Sequence, residues 1–69
     1  MYPLPEIVYV QGEQVAMNLA ATLVRRGVVF YVEPRPEDEW EFRCKTEALP
    51  TVSEALAQQA VAAGVWEEA

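Results

Sequence analysis

Sixty-nine residues and 7.8 kDa make room for one small domain with a single core, so two-domain readings and most stand-alone enzymes are excluded. With 52% hydrophobic and 23% charged residues the composition is that of a globular chain rather than a disordered one. Eleven acidic residues against five basic ones give a net charge of −6 and a pI near 4.4, the wrong sign for a general nucleic-acid binder, which gains its affinity by neutralising phosphates.

The chain reads as one domain over residues 1–69, with an irregular, proline-containing lead-in at 1–5. Glu6 to Gln11 (Glu-Ile-Val-Tyr-Val-Gln) is rich in β-branched and aromatic residues and predicts a strand, ended by Gly12. Ile7 and Tyr9 fall on one side of it, Val8 and Val10 on the other. From Glu13 to Arg26 the apolar period becomes helical. Leu19, Leu23, Ala16, Ala20, Val24, Met17 and Ala21 fill an arc of about 200°, wider than packing on one sheet face needs. Glu13 in the first turn and Arg25–Arg26 in the last suit the helix dipole, and Gly27 is the expected stop.

Val28 to Glu33 is a near-continuous apolar run, the pattern of a strand covered on both faces. Pro34-Arg35-Pro36-Glu37-Asp38 predicts a loop, because neither proline can donate to a ladder. Trp40 to Lys45 alternates: Trp40, Phe42 and Cys44 face one way, Glu41, Arg43 and Lys45 the other. After a connector at 46–50, Thr51-Val52-Ser53-Glu54 matches a capping box with Thr51 as N-cap, and a second, alanine-rich helix is expected over 52–63 with Gly64 behind it. Val65 and Trp66 would fold back on that helix, and 67–69 reads as a solvated tail. The expected fold is α+β, a βαββα chain with a three-stranded mixed sheet and both helices on one face. The first two strands are expected to run parallel through a right-handed crossover, with the third strand between them or beside the second.

The residue inventory removes most chemistry. There is no histidine, hence no imidazole base and no histidine-containing metal site. Cys44 is the sole cysteine, so no disulfide forms within one chain, and its position beside Trp40 and Phe42 is that of a packed core residue. Gly12 is a single glycine in Gln11-Gly12-Glu13-Gln14, without the further glycines or the lysine of a phosphate loop. Arg25, Arg26 and Arg35 form at most a small anion patch. The acidic run Glu37-Asp38-Glu39 lacks the spacing of a calcium loop and reads as a solvated hairpin tip, or as a contact for a basic partner. No catalytic, cofactor or metal residue is nominated. With no signal peptide pattern and no apolar run long enough to span a bilayer, the expectation is a cytoplasmic protein without nucleic-acid or membrane partners.

A strand, a leucine-bearing helix ending in Arg-Arg-Gly-Val, a strand containing Val-Phe-Tyr-Val, then a strand and an alanine-rich helix resembles the small bacterial domains labelled prokaryotic signal-transducing proteins. The resemblance covers about residues 6–63 and rests on the order of elements with Leu19, Leu23, Gly27 and Val28. It implies the same fold, and since that family's own function is unsettled it implies no site.

The surplus of apolar surface points to a non-catalytic protein-interaction or regulatory module whose partner is a second copy of itself or another protein. The interface residues it nominates are Tyr9, Val29, Tyr31, Glu41 and Arg43, in a homodimer formed through the uncovered sheet face or an edge strand, with Tyr9 or Tyr31 near its centre. A mobile-element or phage inhibitor that presents carboxylates to a basic groove is one form of this reading. The alternative is a small-molecule-sensing domain with a ligand site at a dimer interface.

Overall fold

The computed structural model describes residues 3–62. Its elements are β1 (Glu6–Gln11), α1 (Glu13–Arg25), β2 (Phe30–Arg35), a 3₁₀ turn (Pro36–Asp38), β3 (Glu39–Cys44), a second 3₁₀ turn (Thr46–Ala48) and α2 (Leu49–Ala62). The fold is α+β. The sheet has the order β1-β3-β2, so the third strand fills the gap between the first two. Both ladders are antiparallel, and β1 and β2 therefore point the same way without touching.

Val10 of β1 and Phe42 and Cys44 of β3 are buried with Ala16, Leu19 and Leu23 of α1 and Val52 and Ala55 of α2. Val8, Phe30, Val32 and Trp40 pack at the margin of this cluster. All the strand residues in it share one side of the pleat, so both helices lie on that side and leave the other open. Gln59, which interrupts the apolar stripe of α2, is used to tie the helices together. Its amide donates to the carbonyl of Val15 at 3.2 Å and its carbonyl accepts from Asn18 at 3.3 Å.

The C-terminus of α1 closes as expected. Gly27 sits at φ 71, where a side chain would be strained, and its N–H donates to the carbonyl of Val24. The N–H of Val28 donates back to Leu23 at 3.0 Å, completing a Schellman turn. That turn takes Val28 out of the extended chain, which is why β2 begins at Phe30 and not at Val28. At its far end β2 runs on through Pro34 and Arg35, against the expectation of a loop there.

The sheet's hydrogen-bond phase explains the proline. The N–H of Gly12 donates to the carbonyl of Asp38 at 2.8 Å, continuing the β1–β3 register by one position. Antiparallel ladders alternate, so the backbone groups of Glu6, Val8 and Val10 face β3, and those of Ile7, Tyr9 and Gln11 face outward. Carried across β3, the same alternation turns Tyr31, Glu33 and Arg35 toward β3 and Phe30, Val32 and Pro34 away from it. Pro34 therefore removes no ladder bond, a setting in which an edge strand tolerates proline.

The second helix starts earlier than the capping box implies. The 3₁₀ turn at Thr46–Ala48 leads directly into Leu49, and Pro50 occupies the first turn, where its missing N–H costs nothing. Thr51 lies inside the helix and is not its N-cap. Gly64, Val65–Trp66 and the tail at 67–69 fall outside the described residues.

Candidate functional site

The open side of the sheet is built from alternate residues of all three strands. Ile7, Tyr9 and Gln11 of β1 stand beside Arg43, Glu41 and Glu39 of β3, which stand beside Tyr31, Glu33 and Arg35 of β2. No helix covers this layer among the described residues. Ile7, Tyr9 and Tyr31 are 42%, 54% and 50% exposed, an unusual share of large apolar surface for so small a sheet.

At the centre lies Glu41, only 3% exposed. A carboxylate taken from water needs a partner for each oxygen, and here both are supplied. Arg43 donates from Nε to Glu41 Oε2 at 2.7 Å, and Arg35 donates from Nη1 to Oε1 at 3.3 Å. Arg35 also donates to Glu39 at 3.3 Å and lies over the ring of Tyr9, 5.6 Å from its centroid. A single guanidinium thus spans the sheet from β2 to β1. Glu33 and Glu41 lie directly opposite each other in the β2–β3 register, and the two arginines offset the charge of Glu41 there.

Of the residues nominated from sequence, Tyr9, Tyr31, Glu41 and Arg43 are brought onto this one layer. Glu41 serves as its buried anchor and not as an exposed contact. Val29 precedes β2 and is 66% exposed beyond the end of the sheet. Arg35 is the member the sequence reading placed in a loop and grouped with Arg25 and Arg26. The structure separates them: Arg26 pairs with Glu54 at 2.7 Å, and Arg25 donates to the hydroxyl of Thr22. No anion patch forms from the three.

The acidic run is divided in its use. Asp38 is exposed but turned toward the start of α1: Oδ2 accepts from the N–H of Glu13 at 3.3 Å, Oδ1 accepts from the indole of Trp40 at 3.1 Å, and its carbonyl receives Gly12. Gly12 offers no side chain to cap α1, so a carboxylate from the hairpin tip does so, where the helix dipole also favours it. Glu37 and Asp38 take positive φ values of 63 and 58 to form this tip. The amide of Gln11 donates to the carbonyl of Glu37 at 2.7 Å, fixing the tip to the end of β1. Glu39 pairs with Arg35. Among the described residues, Glu37 is the member of the run whose carboxylate makes no ion pair or hydrogen bond.

Cys44 lies on the covered side, and burial, assisted by the negative charge of Glu6, pushes its thiol up from the ordinary value. A nucleophilic thiolate is disfavoured there. Among the described residues no group of three histidine, cysteine, aspartate or glutamate side chains is placed to hold a metal ion. No described helix is long and apolar enough to cross a membrane. A shallow hollow of about 270 Å³ lies on the open layer between Pro3, Leu4, Tyr31, Glu33 and Arg43, below the roughly 300–1,000 Å³ of ordinary small-molecule sites. No family model, curated protein or solved structure matches this chain.

Proposed function

We propose that the chain is a non-catalytic interaction module that associates with a second copy of itself, through the uncovered layer of its sheet or the outer strand that borders it. One observation carries the reading: a sheet covered by helices on one side keeps Ile7, Tyr9 and Tyr31 half exposed on the other, around a charge network that is already satisfied. A surface of this kind is suited to contact and poorly suited to chemistry. Arg35 and Arg43 pair with Glu39 and Glu41, so at the centre of the layer an approaching surface meets little unpaired charge. Tyr9, on the outer strand β1, supplies rigid, amphipathic area of the sort that dominates interface energetics. Self-association also answers the difficulty of a small domain, which buries too little of its own surface to be amply stable alone.

Light scattering on the purified protein over a concentration series tests it. The mass is expected to rise from one chain of 7.8 kDa toward twice that value as concentration approaches high micromolar. A single-chain mass throughout contradicts self-association.

A further inference from the structure

The two outer strands differ in what they offer a neighbour. On β2 the outward backbone positions are Phe30, Val32 and Pro34, and the proline both lacks an N–H and fills the space a partner strand would need. On β1 the outward positions are Ile7, Tyr9 and Gln11, and every one retains both its N–H and its carbonyl. Among the described residues no strand pairs with this side of β1. It carries none of the usual protections of an edge: no proline, no lysine, and one charged side chain, Glu6, at its very start.

Resting on the self-association reading above, we infer that two copies pair antiparallel along the outer edges of β1, with Tyr9 opposite its own copy on the two-fold axis, to form one continuous six-stranded sheet. The register follows from two conditions. Facing residues must lie on the same side of the joined sheet, or Val8 and Val10 would leave the covered layer. The two position numbers must therefore sum to an even value, which excludes the fully overlapped alignment of 6 with 11.

Two of the allowed alignments lie within one residue of full overlap and pair most of the strand. In one, Val8 faces Val8, Ile7 faces Tyr9, and Glu6 is brought opposite Val10. There the outward groups of Gln11 meet Pro5, which has no N–H to return. In the other, Tyr9 faces Tyr9, Val8 faces Val10, and Ile7 faces Gln11. All three outward residues of each strand then exchange both bonds with a partner, and Glu6 falls outside the ladder. The second alignment satisfies every outward group of β1 and brings no two carboxylates together, notwithstanding a net charge of −6 per chain. A foreign strand could satisfy the same backbone groups, but only an identical one is assured this match of side chains on both layers.

Symmetry supplies the test. Tyr9→Glu and Tyr9→Lys each place like charges face to face across the axis, whereas an equimolar mixture places opposite charges there. By light scattering, with circular dichroism to establish that each protein is folded, both variants are expected to be single chains and the mixture to recover the two-chain mass. Tyr31→Glu, on the strand blocked by Pro34, is expected to keep the wild-type mass. A folded Tyr9→Glu protein that remains a dimer, a mixture that remains monomeric, or dispersal by Tyr31→Glu and not by the Tyr9 variants overturns the β1 pairing. A wild-type protein that is monomeric throughout overturns the self-association reading on which it rests.

Discussion

The two sides of the sheet solve the same problem by opposite means. On the covered side Val10, Phe42 and Cys44 are buried by apolar residues of α1 and α2, and removal from water is the whole of the stabilisation. On the open side Glu41 is as deeply buried with no helix above it among the described residues. Arg35 and Arg43 bond to its two oxygens, and its stabilisation depends on these two charge-assisted bonds. The difference teaches which side holds the fold together and which side is available. An apolar core is indifferent to what lies outside it, whereas a self-neutralised polar centre ringed by Ile7, Tyr9 and Tyr31 stays ordered while its rim remains exposed for contact.

Substitutions can break that contrast or sharpen it. Phe42→Ala empties the middle of the covered side, removing a ring that stacks on Phe30 at 5.9 Å between centroids. A loss of about 3–5 kcal/mol is expected, enough to unfold so small a domain or nearly so, as read by urea denaturation. Arg43→Met keeps the length of the side chain on the open side but removes the shorter of the two bonds to Glu41. The expected cost is about 2 kcal/mol, with the helical circular dichroism signal of the folded protein unchanged. If Arg43→Met costs nothing, the buried carboxylate is held by Arg35 alone and the open side is not an organised network. Asp38→Ala lies outside both layers. It removes the cap of α1 and the acceptor for Trp40, and a loss of about 1 kcal/mol is expected, with a change in indole fluorescence.

Much of the fold is legible in the sequence because local signals and packing agree. Residues 6–11, rich in β-branched and aromatic side chains, form β1 with the expected bounds, and Gly27 ends α1 in the expected turn. The third strand is displaced by one residue from the expected 40–45. The failures lie where something outside the local pattern decided the outcome. Pro34 reads as a loop residue until its backbone is known to face away from β3. Asp38 reads as one more charge in an acidic run, and only the return of the hairpin tip to the start of α1 gives it a helix to cap. Thr51-Val52-Ser53-Glu54 has the letters of a capping box, but the 3₁₀ turn before it starts the helix sooner.

The candidate site was partly legible for the same reason. Alternation along each strand puts Tyr9, Tyr31, Glu41 and Arg43 on the uncovered layer, whichever strands are neighbours. It does not reveal that β1 is an outer strand with all its outward groups intact. That depends on β3 lying in the middle, and no local pattern specifies strand order. Arg35 was hidden with Pro34, since a residue assigned to a loop has no face.

Amide hydrogen exchange of the wild-type protein, resolved residue by residue by NMR at low and high concentration, tests the central claim most directly. Pairing through β1 predicts that the amides of Ile7, Tyr9 and Gln11 exchange fast when dilute and slow markedly as concentration rises, while that of Val32, on the outward side of β2, stays fast at both. Fast exchange of the three β1 amides at a concentration where the protein is a dimer, or protection gained at Val32 in their place, would contradict it.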